Sequence, residues 1–133
     1  MKKDPKELLN TIAQIIYDKK GFNIIAMDLR GLSSINDYMI IAEGNVDRDV
    51  KALAASVIED LKKEEEISPY KVEGKLGGDW IVIDYQDVIV HLFMPYLREK
   101  YQLERLWSEG KIIDLTINIE DEDKTKIMGN ENE

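Results

Sequence analysis

Two kinds of side chain that often carry chemistry are scarce in this sequence, which has no cysteine and a single histidine, His91. Without cysteine, disulfides, thiolate metal sites and a cysteine nucleophile are excluded, and the chain suits a reducing cytoplasm. The sequence also lacks any apolar run approaching the length of a membrane span, and its first residues lead into an amphipathic segment. We therefore expect a soluble, unexported, cytoplasmic protein.

Basic residues are outnumbered, with 18 Lys and Arg against 27 Asp and Glu, which gives a formal net charge of −9. Nucleic-acid backbones bind clustered Lys and Arg, so this balance disfavours direct nucleic-acid binding and favours a basic protein as any charged partner. Residues 120–133 hold six acids and two lysines and lack an apolar pattern. We expect a folded domain over residues 1–119 and a disordered acidic tail over 120–133.

Apolar periodicity and turn residues divide the chain into helices and strands. Asp4 and Pro5 suit a helix start, and the apolar residues that follow repeat at helical spacing. The complete pattern predicts helices from residue 4, over 47–66 and over 94–107, with strands over 22–29, 37–43, 80–84, 88–93 and 113–119 and a shorter one over 70–73. This order predicts a single α/β domain, with a mixed five-stranded sheet and helices packed on it.

Two β-branched runs, 80–84 and 88–93, flank a short polar turn and predict a β-hairpin. If Gln86 and Asp87 form a two-residue loop, alternation defines two faces. The first face is wholly apolar and should be core; it contains Ile81, Ile83, Val88, Val90 and Leu92. The second is mixed and should meet either another element of the fold or a partner; it contains Trp80, Val82, Asp84, Ile89, His91 and Phe93.

The sequence offers few constellations for catalysis. Gly77 and Gly78 before Asp79 and Asp84 invite comparison with nucleotidyltransferases, which hold magnesium between two carboxylates on one strand face. The spacing fails, because residues five apart on a strand point to opposite faces. His91 with Asp84 is a candidate acid–base pair, although no Walker loop or nucleophile motif accompanies it. A nucleotide-binding or nucleotidyltransfer enzyme using Asp79, Asp84 and His91 stays open as the alternative.

Aromatic residues gather in the hairpin and in the helix that follows it. Tyr101 and Trp107 repeat with leucines at helical spacing, which core packing alone would explain. Together with Trp80, Phe93 and a nearby arginine, Arg98, they also match the anchors that dominate protein–protein interfaces. Core and interface both remain open from these residues.

A series of motifs between Leu8 and Leu115 resembles one known family. The motifs are Asp28, the run from Ser33 to Gly44, Asp47-Arg48, Val72 to Gly74, Asp79 to Asp84, Asp87 to His91, and Arg98, Tyr101, Leu103-Glu104 and Leu106-Trp107. In this order they are similar to those of the ribosomal silencing factors, also called Iojap-like proteins. The resemblance implies an α/β domain related to nucleotidyltransferases but without their active site, in agreement with the failed carboxylate spacing.

The resemblance also implies a function without catalysis, metal or cofactor. Such proteins bind the large ribosomal subunit at the protein numbered fourteen on its intersubunit face and block joining of the small subunit, so that translation falls when nutrients are scarce. The partner-binding residues carried over by matching motif are Trp80, Asp84, His91, Phe93, Arg98, Tyr101, Glu104 and Trp107. A homodimer of the free protein through the same hairpin–helix face stays open.

Overall fold

The computed structural model describes residues 4–74, 77–101 and 111–118, which form three helices and six strands. Within these ranges, none of the helices is long and apolar enough to cross a membrane. The elements in chain order are α1 (Pro5–Asp18), β1 (Phe22–Asp28), β2 (Tyr38–Glu43), α2 (Asp47–Glu65), β3 (Lys71–Glu73), β4 (Trp80–Asp84), β5 (Val88–Phe93), α3 (Pro95–Tyr101) and β6 (Lys111–Ile113).

The strands form one mixed sheet in the order β3-β4-β5-β2-β1-β6. Only β2 and β5 run parallel among these pairs, and each of the other neighbours is antiparallel. The α/β domain with a mixed sheet is therefore confirmed, with six strands in place of five. The sheet has a sixth strand because the short stretch predicted over 70–73 pairs with β4 as the edge strand β3. The two edge strands, β3 and β6, have three residues each.

Helices α1 and α2 pack together on one face of the sheet and form the larger core with it. Asp4 caps α1 as predicted, because its carboxylate accepts a hydrogen bond from the Lys6 backbone N–H at 3.1 Å, and Pro5 begins the helix. The predicted helix over 47–66 is also confirmed, ending at Glu65, with Glu66 in a left-handed conformation at φ 58°.

The opposite face of the sheet carries a second, smaller core cluster. Every residue of β2 is buried, because the strand is covered on both faces. The smaller cluster contains Ile25, Met27, Leu29, Met39, Ile41 and Phe93, with Trp80, Ile89 and Leu97 packed against it. Helix α3 thus contributes Leu97 to this second face.

The predicted strand over 113–119 is wrong in its bounds, because β6 ends at Ile113. Leu115 is buried and Ile117 packs against the larger core, so the alternation that suggested a strand is present. The backbone there bonds to α1 instead of to a strand: Thr116 N–H donates to Asn10 Oδ1 at 2.8 Å, and Asn118 N–H donates to Gln14 Oε1 at 2.7 Å. We call these contacts the α1 clasp.

Two further predictions reach past the described residues. The third helix begins at Pro95 and is described to Tyr101, so the predicted continuation to residue 107 lies outside the described part. The predicted disordered tail over 120–133 lies outside it as well.

Candidate docking site

The β4–β5 hairpin closes through the predicted two-residue loop. Tyr85 N–H donates to the Val88 carbonyl oxygen at 2.9 Å, and Gln86 takes a left-handed φ of 74° between them. The register pairs Ile81 with Leu92. All five residues predicted for the core face are buried, so that face assignment is confirmed.

The other hairpin face is only partly covered. Phe93 is fully buried there, against the smaller core. The remaining residues of the face are each half-buried and form a continuous surface, which we call the hairpin patch: Trp80, Val82, Asp84, Ile89 and His91. The patch is thus an aromatic and aliphatic surface with one carboxylate and one imidazole.

The centre of the patch is a hydrogen bond between two aromatic side chains. The Trp80 indole Nε1–H donates to His91 Nδ1 at 3.1 Å, and the two ring centroids are 6.0 Å apart. Trp80 also meets Phe93 edge to face, with centroids 5.5 Å apart and planes at 65°. The indole is therefore held on one side by a hydrogen bond and on the other by an aromatic contact of favourable geometry.

His91 is neutral in this environment. Burial disfavours the charged imidazolium and lowers the pKa of His91 from 6.5 to about 4. The ring therefore carries one proton at neutral pH and offers one donor and one acceptor.

The two carboxylates of the enzyme hypothesis do not pair with the histidine. Asp84 Oδ1 accepts hydrogen bonds from the Gln86 backbone N–H at 2.7 Å and from the Asn36 amide at 3.4 Å, so it holds the hairpin turn. Asp79 accepts a hydrogen bond from the Tyr96 hydroxyl at 3.2 Å. Within the described ranges, no cluster of three or more His, Cys, Asp or Glu residues is placed to hold a metal ion.

Arg98 lies inside the protein and anchors α3 to the sheet. The side chain of its partner, Glu43, is 7% exposed and that of Arg98 is 6% exposed, and their charged atoms are 3.1 Å apart. The guanidinium also donates to the carbonyl oxygen of Asn23, whose own amide donates to Glu43 at 3.2 Å. Asn23 sits at a register shift in β1 with a left-handed φ of 52°. Together, the ion pair and the Asn23 hydrogen bonds join α3 to β1 and β2.

The structure brings together part of the predicted site. Trp80, Asp84 and His91 share the hairpin patch, whereas Phe93 and Arg98 are buried, and of these two Phe93 contacts Trp80 of the patch. The Tyr101 side chain, Glu104 and Trp107 lie outside the described residues.

Sequence reasoning missed the residues that hold the site in place. Glu43 had a usable signal, since it is the one charged residue at the end of an otherwise apolar strand. Asn23 and Asn36 gave none, because each acts through partners 20 or more positions away in the chain.

Comparisons with known proteins agree with this fold. The family model described as "Ribosomal silencing factor during starvation" matches residues 2–133. A ribosomal silencing factor of Bacillus subtilis is 37% identical over 110 residues, which are 83% of this chain and 92% of the relative. The ribosomal silencing factor of Haemophilus influenzae is 41% identical over 101 residues, which are 76% of this chain and 98% of the relative.

A solved structure has the same architecture. The crystal structure of a Chromobacterium violaceum protein aligns with a TM-score of 0.77 at 34% identity, covering 90% of this chain and 98% of that one. The names of the relatives denote regulators that act on the ribosome, not enzymes. On the sequence match and the shared fold, this chain belongs to the ribosomal silencing factor family.

Proposed function

We propose that this protein binds the large ribosomal subunit at the ribosomal protein numbered fourteen, on the intersubunit face. Bound there, it sterically blocks the small subunit and lowers translation when nutrients are scarce. Family membership supports the ribosome as the target. The observation that carries the docking site is the hairpin patch, because a half-buried tryptophan beside apolar side chains is typical of the centre of a protein interface.

Charge supports a protein target over RNA. The chain carries a net charge of −9, so ribosomal RNA repels it, whereas the surface of a basic ribosomal protein attracts it. A carboxylate in the patch, Asp84, has the sign that such a surface favours. We propose Asp84, Trp80 and His91 as the contacts and assign Phe93 and Arg98 a supporting part beneath them.

The remaining candidates are Tyr101, Glu104 and Trp107. Tyr101 is the last residue of α3, which the Arg98–Glu43 ion pair fixes to the sheet, and Glu104 and Trp107 come after it in the sequence. We propose that they extend the docking surface beyond the patch. The cytoplasm, where ribosomes translate, is the proposed location.

Co-sedimentation with purified large subunits tests the docking site. We expect Trp80→Ala to reduce binding by about 100-fold, because truncating a central aromatic anchor commonly costs about 2 to 4 kcal/mol, on the order of 30- to 1000-fold. The matched control is Tyr70→Ala, since Tyr70 is 71% exposed and, by strand alternation, lies on the other face of the sheet. Equal losses from both variants, or from neither, would count against the patch.

A further inference from the structure

The hydrogen bond between Trp80 and His91 has a chemical direction that is fixed by the indole. An indole N–H can donate and cannot accept, so His91 Nδ1 must be the acceptor and carries no proton. The lowered pKa of His91 agrees, because a neutral imidazole has only one proton. That proton is therefore on Nε2.

Among the described residues, His91 Nε2 has no hydrogen-bond partner. In the part of the chain that the structure describes, the one buried side-chain nitrogen or oxygen without a hydrogen-bond partner is the Tyr85 hydroxyl. His91 makes no second hydrogen bond to the described residues. Its Nε2–H is therefore a donor without an acceptor in the described part of the chain, within a patch that is otherwise aromatic and aliphatic apart from Asp84.

We propose that Trp80 fixes His91 as a hydrogen-bond donor and that this donor selects a neutral carbonyl oxygen on the docking partner. This inference rests on the proposed function for the identity of the partner, and it adds the chemistry of one contact. A partner that covers the patch removes water from Nε2–H, so it must supply an acceptor in return. A partner without one leaves a buried donor unpaired and binds more weakly.

The acceptor is a neutral carbonyl because the surroundings of His91 are already negative. Asp84 lies in the patch on the same hairpin face as His91, so a partner carboxylate would meet a like charge there. A backbone or amide carbonyl oxygen accepts the same hydrogen bond without that repulsion. Trp80 thus acts twice, as an apolar contact and as a positioning residue for the imidazole.

NMR of the free protein tests whether Trp80 fixes His91 as a donor through Nε2. Nitrogen NMR of the histidine ring distinguishes the two neutral tautomers, and we expect the proton on Nε2 in the wild type. In Trp80→Phe, which removes the indole N–H and keeps an aromatic ring, we expect a mixture of both tautomers. A wild-type ring protonated on Nδ1 would overturn the proposal, whether or not the protein binds ribosomes.

A matched pair of variants tests whether binding to the partner needs a donor at position 91. Binding is measured by co-sedimentation with purified large subunits. His91→Gln and His91→Glu have the same shape, and both can accept the indole hydrogen bond, but an ionised glutamate cannot also donate as the glutamine amide does. We expect glutamine to restore binding to within about threefold of wild type and glutamate to weaken it by about tenfold or more. His91→Met separates the lost donor from the added charge, because methionine can neither donate nor carry a charge, and it should weaken binding as glutamate does.

The outcomes separate this inference from the proposed function. Equal binding by the two variants would overturn the donor role while leaving the docking site intact. Failure of the wild type to bind large subunits would overturn the proposed function and the carbonyl contact with it, and the NMR result would still decide how Trp80 orients His91.

Discussion

The pKa values of Asp28 and His91 are both lowered, but for different physical reasons. Asp28 and Arg30 form an ion pair at 2.8 Å, and the hydrogen bond from Arg30 lowers the pKa of Asp28 from 3.8 to about 2. Arg30 also lies over the Tyr38 ring at 5.3 Å. His91 is the opposite case, because burial lowers its pKa and favours the neutral form. The two groups therefore affect stability in different pH ranges.

The lowered pKa of His91 predicts that acid destabilises the fold. Unfolded chains bind a proton at this histidine below pH 6.5, and the folded protein does so only near pH 4, so stability falls as the pH drops between these values. From pH 7.5 to pH 5 the free energy of unfolding should fall by about 2 kcal/mol from this group. Urea unfolding at both pH values measures it.

The control for that prediction is His91→Gln, which removes the titrating group and can keep the hydrogen bond from Trp80. It should lose about 2 kcal/mol less than wild type over the same pH step. Asp28 does not interfere, because its lowered pKa contributes stability that is lost only as the pH falls from 3.8 to about 2. Equal losses in wild type and His91→Gln would contradict the burial of a neutral imidazole.

Among the secondary-structure elements, the sequence correctly predicted those features that depend on local residue patterns. Apolar periodicity located the helices, and the two-residue loop at Gln86 and Asp87 placed both hairpin faces. Strand order could not be read in the same way, since β2 pairs with β1 and with β5 through long-range contacts. Arg98 on its helix is compatible with a solvated side chain, and only the fold shows that it meets Glu43.

The Arg98–Glu43 ion pair should stabilise the packing of α3. We expect Arg98→Met to lower the free energy of unfolding by about 3 kcal/mol, because it leaves the Glu43 carboxylate buried without its cation. Adding Glu43→Met should recover most of that loss, as both charges are then gone. Chemical denaturation of the single and double variants measures this coupling.

An exposed ion pair on β3 provides the matched control. Lys71 and Glu73 are 3.2 Å apart, with side chains 59% and 61% exposed. Lys71→Met should therefore cost less than about 1 kcal/mol. Similar losses from Lys71→Met and Arg98→Met would mean that burial of the Arg98 pair is not what stabilises α3.

The α1 clasp explains why the sequence overextended the last strand. Leu115 and Ile117 alternate with polar residues as in a strand, yet the amides of those polar residues bond to side chains of α1, about 100 positions earlier in the chain. Two amide side chains four residues apart on a helix carry no signal that they will bind an extended segment. Only the folded arrangement brings them together.

Removing one side chain of the α1 clasp should release one backbone amide. We expect Asn10→Ala to speed hydrogen exchange at Thr116 and Gln14→Ala to speed it at Asn118, each costing about 1 kcal/mol. Each variant serves as the control for the other. Uniform acceleration at both amides in both variants would show instead that the segment opens as one unit.

The whole molecule presents one acidic domain with a partly apolar face. Its net charge of −9 acts over a distance of several ångströms, whereas the hairpin patch acts only on contact. On the proposed function, charge attraction raises the rate of association with a basic ribosomal protein, and contacts of the hairpin patch lower the rate of dissociation. The two contributions predict different responses to salt.

Salt should slow association with the isolated ribosomal protein numbered fourteen. Raising ionic strength from about 0.05 to 0.5 M screens the attraction and should reduce the association rate constant by about tenfold or more, with a smaller change in the dissociation rate constant. Stopped-flow binding measures both. Trp80→Ala should give the reverse pattern, with faster dissociation and a nearly unchanged association rate constant.

A subunit-joining assay tests the proposal that this protein keeps the ribosomal subunits apart. Purified large and small subunits are mixed under conditions that favour joining and are separated on a sucrose gradient, with wild type, Trp80→Ala or Tyr70→Ala present. We predict that wild type and Tyr70→Ala leave free subunits while Trp80→Ala permits joined ribosomes. Complete joining in the presence of excess wild-type protein bound to the large subunit would contradict the proposal that the bound protein blocks the small subunit.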